Sequence, residues 1–212
     1  MEHFSRQRQV LATGGLAVQW LPLHQLSPEG LRTVIATFAR AFPHVSLWWG
    51  TLSGSLPVVG LIGSENPLPV SPTLFREKFR SLAPGLAAVG WNSPACVLSS
   101  FIAADGDLRA FSAGIGLNTD DLPRTEFDSP KVEIMGRRHV AQNLKDLSLL
   151  GKDSQIYFFP QDSVLFIKSV EFSRTRRLLI QALSLRASGD SAGAAALLKG
   201  FRPVRECADL TP

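Results

Sequence analysis

Gln19, Asp120 and Asp121 carry the side chains in this 212-residue chain that are best suited to contact a small polar ligand. The apolar run Leu16 to Leu21 has the length of a strand, and we expect Gln19 to sit at the C-terminal end of that strand. Doubly wound sheets bind ligands at the carboxyl ends of their strands, so we expect Gln19 to lie beside such a site. Its amide can hydrogen-bond an amine or a carbonyl, although it cannot accept a proton.

The Asp120-Asp121 pair has two interpretations. Adjacent carboxylates can attract a cationic amine, and one of them can act as a base if its pKa is raised. The same segment, with Asn118 and Thr119 before it and Pro123 after it, also fits a turn in which Asp and Thr side chains bind backbone N–H groups. The pattern favours this acidic turn and leaves the catalytic role open.

Other reactive side chains favour structural roles. His24 and His44 have no third metal-ligating residue at useful spacing, so we expect loop or capping residues and no metal site. Cys96 and Cys207 are far apart in the sequence, which favours two reduced thiols. Trp20 is expected either to wall a pocket or to pack, buried, against the helix that follows it.

The apolar run Leu16 to Leu21 lacks polar alternation, which predicts a strand buried on both faces of a parallel sheet. Ser27 and Pro28 then begin a helix, as N-cap and first helical residue, and Pro43 ends it. Apolar residues recur along this helix at the spacing of one face, which predicts that it covers a core. They are Leu31, Val34, Ile35, Phe38 and Phe42.

Two further strands, Val45 to Trp49 and Pro57 to Ile62, are predicted to form an antiparallel hairpin. A linker, 64–70, leads to a helix that begins at Ser71-Pro72 and stops at Pro84-Gly85. Another helix is predicted from Ser93-Pro94 through Phe101 and Ile102, ending near Asp105-Gly106.

From Lys131 onwards the sequence predicts mainly helix, with a short extended stretch over Gln155 to Phe159. Its last part predicts a helical hairpin, Thr175 to Ala187 and Ser191 to Leu198, which loosely resembles one tetratricopeptide-type unit. One such unit cannot bury both of its faces, so we expect it to dock on preceding helices or on a partner.

Composition and charge indicate a protein with a sizeable hydrophobic core and a basic net charge. The content of hydrophobic residues, 45%, is enough for a sizeable core, and the net charge is +4 with a pI near 9.4. The arginines at 174, 176 and 177 are expected to form a solvated helix face, and no nucleic-acid-binding pattern accompanies them. No apolar run has the length of a membrane span and no signal peptide begins the sequence, so we expect a cytoplasmic protein.

Two segments together resemble the spermidine synthase (polyamine aminopropyltransferase) family, in particular its long bacterial branch that is often fused to membrane transporter segments. The first runs from His3-Phe4 through Gly14-Gly15-Leu16-Ala17-Val18-Gln19-Trp20-Leu21-Pro22-Leu23, Leu26-Ser27-Pro28-Glu29 and Phe42-Pro43-His44-Val45-Ser46-Leu47-Trp48. The second is Leu117-Asn118-Thr119-Asp120-Asp121-Leu122-Pro123-Arg124-Thr125-Glu126-Phe127. The two segments occur in the family's order, and the resemblance covers about residues 1–130.

The resemblance implies an α/β fold, namely the C-terminal part of a methyltransferase-like (Rossmann-type) doubly wound sheet followed by a mainly α-helical extension. Residues 1–63 correspond to the sheet part, 64–130 to a helical extension with the Thr-Asp-Asp segment, and 131–212 to a mainly helical region. The thirteen residues before Gly14 are too few for a strand, a glycine-rich loop and a helix, so we expect the opening portion of such a sheet to be absent.

The implied activity is transfer of an aminopropyl group from decarboxylated S-adenosylmethionine to putrescine or a related amine. Gln19 resembles the family's glutamine near the amine substrate. The donor-binding loop and the catalytic aspartates of the family have no counterpart here, so we expect no cofactor bound by this chain and no activity alone. A polypeptide that completes the sheet is one expected partner, and self-association through an open sheet edge is another. A noncatalytic interaction or scaffold module is the alternative.

Overall fold

The computed structural model describes residues 1–50, 56–67, 71–135, 138–150 and 163–210. Its described part is a mixed α/β structure built on a four-stranded antiparallel sheet. The strands are β1 (Leu16–Pro22), β2 (His44–Trp49), β3 (Val58–Ser64) and β4 (Phe101–Ala104), in the spatial order β1-β3-β2-β4. Since β3 is antiparallel to both β1 and β2, the latter two run parallel to each other.

Helix α1 (Glu2–Gln9) precedes the sheet, and helix α2 (Pro28–Ala41) connects β1 to β2. The sequence prediction for α2 is confirmed, because Ser27 Oγ accepts a hydrogen bond from Gly30 N at 2.9 Å. Its apolar stripe forms the centre of the main core, against the inward-facing residues of the sheet. The fully buried members of that stripe are Leu31, Ile35, Phe38 and Phe42.

The predicted hairpin of β2 and β3 is also confirmed, with Leu47 opposite Leu61 in the antiparallel register. The prediction of one helix from Ser93-Pro94 to near Asp105-Gly106 was wrong in part. Helix α4 (Pro94–Ser99) is short, and the chain then forms β4 on the free side of β2 before helix α5 begins (Asp105–Phe111). The apolar residues after Ser99 therefore fill a strand position beside Leu47, a long-range pairing that helical spacing could not reveal.

Strand β1 forms as predicted but in a different environment. It is the edge strand of an antiparallel sheet, with one face against α2 and the other in solvent. Ala17 and Leu21 are buried, whereas Leu16, Val18 and Trp20 are 46%, 47% and 58% exposed. The expectation of a strand buried on both faces of a parallel sheet was therefore wrong for the described part of the chain.

A second, smaller core lies beside the sheet. It joins α4 to helix α8 (Ser163–Ala187) and to the C-terminal segment around Cys207 and Leu210. Helix α3 (Pro72–Ala88) leads into it, and this helix continues through Pro84 and Gly85, where the sequence predicted its end. Pro84 lies inside this helix, in which no residue is buried.

The remaining helices are α6 (Arg124–Met135), α7 (Arg138–Leu149) and α9 (Ser191–Leu197). Helices α8 and α9 form the predicted helical hairpin, and the hairpin packs on α7 and α4. Apolar residues of α7 and α8 reach the main core, so the region after residue 130 shares a core with the sheet. The expected boundary at residues 130 and 131 falls inside α6, and the predicted extended stretch over Gln155 to Phe159 lies outside the described residues.

Candidate functional site

Gln19 is the central residue of β1, opposite Leu61 of β3, and does not lie at the C-terminal end of the strand as expected. Its side chain is on the same face of the sheet as Ala17 and Leu21, the face that α2 covers, since side chains alternate along a strand. The amide Nε2 donates a hydrogen bond to the carbonyl oxygen of Trp20 at 3.0 Å. The amide therefore lies at the solvent-exposed margin of β1, with its oxygen available to a ligand donor.

The expectation that Trp20 is buried against the helix that follows it was wrong. Its side chain is 58% exposed and lies on the face of the sheet opposite α2, so it does not pack against that helix. The indole lies across the glycines of the neighbouring strands: a Cβ atom at Gly60 would be 3.2 Å from Trp20 Cζ3, and one at Gly50 would be 2.9 Å from it. These glycines make the surface flat enough for the ring to rest on it.

The segment around Asp120 and Asp121 is a turn. Thr119 and Leu122 exchange backbone hydrogen bonds, and Leu122 N also donates to Thr119 Oγ1 at 3.0 Å. Asn118 Oδ1 accepts from Thr125 N at 3.1 Å. The capping side chains are therefore Asn118 and Thr119, while both aspartates are exposed at the tip.

This turn is held near the C-terminal end of α2. Asn118 N donates to Thr37 Oγ1 at 2.9 Å, and the amino group of Met1 donates to Asn118 O at 2.5 Å. The described hydrogen bonds do not connect Gln19 with Asp120 or Asp121.

A polar cleft between α2 and α6 was not predicted from the sequence. Its volume is about 290 Å³, and its charged lining residues are Glu29, Arg124 and Asp128. Asp128 accepts a 2.5 Å hydrogen bond from the hydroxyl of Ser27, the N-cap of α2. The cap motif was visible in the sequence, but no local signal could show that α6 would bring a carboxylate to it.

His44 and Asp105 lie where β2 begins and where β3 and β4 end. Asp105 Oδ1 accepts from Val45 N at 2.8 Å, and Oδ2 is 3.4 Å from His44 Nδ1. Asp105 has a φ of 31°, a strained conformation for a residue other than glycine. In the described part of the chain no group of three His, Cys, Asp or Glu side chains could hold a metal ion, and His44 acts as a hydrogen-bonding residue at the strand terminus.

A cavity of about 810 Å³ is open to solvent between α1 and the end of α2. Arg8 spans one side of it through a bidentate ion pair with Glu65, at 2.6 and 2.7 Å, and donates to Ala41 O. This hydrogen bond with Arg8 lowers the pKa of Glu65 and raises the pKa of Arg8. The pair ties α1 to the end of β3 and leaves no isolated charge in the cavity wall at this point.

The expectation that the arginines of α8 form a solvated face was wrong for Arg176. Its side chain is 1% exposed, between α8 and α4, whereas Arg174 is exposed. The guanidinium donates to Ser99 O and to Ser99 Oγ, each at 3.1 Å, and to Cys96 O at 3.4 Å. The guanidinium therefore provides hydrogen-bond donors for carbonyl groups at the end of α4. Arg suits this structural role because its guanidinium carries several N–H donors.

The two cysteines also depart from the sequence prediction. Cys96 and Cys207 form a disulfide bond, so the expectation of two reduced thiols was wrong. The folded chain brings α4 beside the C-terminal segment, which sequence distance alone could not indicate. Disulfides persist mainly in oxidising compartments, and a cytoplasmic location therefore stays a prediction.

Comparison with protein-family models gives no match for this chain. No curated protein and no solved structure matches it. Among the described residues, no helix is both long enough and apolar enough to cross a membrane. The fold and the placement of the residues described above are therefore the basis for a functional proposal.

Proposed function

We propose that this chain is the C-terminal part of an aminopropyltransferase-like protein. The proposed reaction transfers an aminopropyl group from decarboxylated S-adenosylmethionine to putrescine or a related amine. The observation that supports it is the unit of β1, α2 and β2, in which two parallel strands are connected by a helix on one face. Doubly wound sheets contain such units and bind ligands at the carboxyl ends of their strands, and Gln19 lies three residues before that end of β1.

Gln19 would contact the acceptor amine. Its side-chain oxygen can accept a hydrogen bond from an amine, while its Nε2 is already oriented by the carbonyl of Trp20. A glutamine cannot deprotonate the amine, so the general base would come from elsewhere. The donor-binding groups are likewise assigned to a second polypeptide, whose sheet would join this one, and the chain alone would be inactive.

The test has two stages. We expect the DNA immediately upstream of the Met1 codon to encode a glycine-rich strand-loop-helix segment, intact or frameshifted. The purified chain should form no spermidine from decarboxylated S-adenosylmethionine and putrescine, whereas co-expression with that upstream segment should restore product formation. Product from the chain alone would contradict its proposed inactivity, and an inactive co-expressed pair would contradict the aminopropyltransferase assignment.

The role of Gln19 is tested in the reconstituted pair. Gln19→Ala should raise the KM for putrescine by about tenfold, which corresponds to the loss of one hydrogen bond, and should change kcat less. Gln142→Ala, which removes an exposed amide on α7, is the matched control and should leave both constants unchanged. Equal effects of the two substitutions would show that Gln19 does not contact the amine.

A noncatalytic interaction module is the second candidate, and the open edge of β1 favours it. An exposed strand with uncharged side chains is a ready binding site for another polypeptide. This candidate predicts stable complex formation without any putrescine-dependent activity in the reconstituted pair.

A further inference from the structure

The outer edge of β1 carries main-chain groups that β3 does not use. Leu23 N donates to Pro57 O at 2.9 Å, which fixes the alternation of the ladder between β1 and β3. Residues 17, 19 and 21 therefore direct their N–H and C=O groups to β3, and Leu16, Val18 and Trp20 direct theirs away from it. In the part of the chain that the structure describes, no strand pairs with this outer edge.

The edge lacks the features that usually prevent strand addition. From Leu16 to Leu21 there is no charged residue and no proline, and β1 has no bulge in its pairing with β3. The indole of Trp20 is turned inward over Gly60, so it leaves the backbone edge clear. The side chain of Gln19 donates a solvent-exposed hydrogen bond to the carbonyl oxygen of Trp20, and an added strand would have to replace this hydrogen bond.

We propose that β1 pairs with β1 of a second copy of this chain, antiparallel and centred on Val18. In this register Val18 faces its own counterpart and Leu16 faces Trp20 of the other copy. Each of these residues directs both its N–H and its C=O outward, so three facing pairs exchange six hydrogen bonds. Pro22, which has no N–H to donate, would face Gly14 and lie beyond the paired segment.

The side chains of β1 also favour a second copy of this chain as the partner at the outer edge. Leu16, Val18 and Trp20 share one face, on which they are about half exposed. Antiparallel pairing about Val18 places the two Val18 side chains beside each other, and such apolar cross-strand pairs stabilise sheets. A two-fold symmetric contact of this kind closes on itself and yields a dimer with a continuous sheet.

This inference does not rest on the proposed enzymatic function. It concerns the chain alone and needs neither amine nor donor. A polypeptide that completes the sheet at β1 would use the same edge, so dimerisation and completion would exclude each other.

Cysteine cross-linking tests the register. Facing residues of a hydrogen-bonded antiparallel pair have Cα atoms about 5.5 Å apart, which suits a disulfide. Val18→Cys should give a covalent dimer of twice the 23.0 kDa mass under mild oxidation. Leu16→Cys alone should not cross-link, while a mixture of Leu16→Cys and Trp20→Cys chains should. The native cysteines do not interfere, because they are bonded to each other.

A charge substitution tests the interface independently. Val18→Lys places two like charges opposite each other at the centre, and we expect light scattering to show a dimer for the native chain and a monomer for this variant. Leu82→Lys, which adds the same charge at a 60% exposed position on α3, should remain dimeric. A monomeric native chain, or cross-linking by Leu16→Cys alone, would overturn the proposal.

Discussion

The disulfide between Cys96 and Cys207 connects α4 to the C-terminal segment across 111 residues of sequence. Both residues are fully buried in the second core, together with Leu165, Phe172 and Leu210. The bond therefore closes a long loop around α8, and this core depends on a covalent connection as well as on apolar packing.

Loss of this disulfide should destabilise the protein by about 2–5 kcal/mol, because an open chain gains more conformational freedom on unfolding than one with a closed loop. Urea unfolding of the Cys96→Ser/Cys207→Ser variant should show a correspondingly lower midpoint. Dithiothreitol should lower the midpoint of the native protein and leave that of the variant unchanged. Two free thiols in the unreduced, denatured native protein would contradict the bond.

Replacement of Arg176 by lysine should destabilise the fold by about 1–3 kcal/mol, because one ammonium group cannot reach the buried oxygens of Ser99 and Cys96 that the guanidinium satisfies. Arg174→Lys, on the exposed side of α8, is the matched control and should change stability by less than about 0.5 kcal/mol. Chemical unfolding of each variant and of the native protein measures both changes in stability. Equal effects would mean that the buried hydrogen bonds of Arg176 contribute little.

Gly63 and Gly85 should respond oppositely to alanine. A Cβ at Gly63 would be 2.5 Å from Phe42 Cγ and 2.7 Å from Phe38 Cε1, so Gly63→Ala should cost about 1–3 kcal/mol through overpacking. A Cβ at Gly85 meets nothing within 4 Å and lies inside α3, so Gly85→Ala should stabilise by up to about 1 kcal/mol. Thermal unfolding measures both, and a stabilised Gly63→Ala variant would contradict the described packing.

The ion pair of Arg8 and Glu65 should contribute stability near neutral pH and lose it in acid. The hydrogen bond from Arg8 lowers the folded-state pKa of Glu65 below its ordinary value of 4.5. The stability that the ion pair contributes is therefore complete at pH values above the ordinary pKa of 4.5. It disappears as the pH falls through the lowered pKa of Glu65 in the folded state. Glu65→Gln should reduce Tm slightly at pH 7, since exposed pairs are weak, and the difference from the native protein should vanish in acid.

Glu77→Gln is the control for this titration, because it neutralises an exposed carboxylate on α3. Added salt should also diminish the effect of Glu65→Gln, because salt screens exposed charges. A difference in Tm that persists unchanged in acid would show that Gln at this position acts through packing.

The sequence by itself determined the elements whose signals are local. Ser27 and Pro28 specify the start of α2, and the apolar stripe from Leu31 to Phe42 specifies the face that it buries. The turn at Asp120 and the hairpin of β2 and β3 were likewise predictable, since capping and strand alternation depend on near neighbours.

Only the tertiary structure decided which of these elements meet. It placed β4 beside β2, Asp128 beside Ser27, Arg176 inside the protein and Cys96 beside Cys207. It also left one face and one edge of β1 open, although the apolar run of that strand looks like that of a buried one. Such contacts join residues that are distant in the chain, and no periodicity or cap within a short window of sequence encodes them.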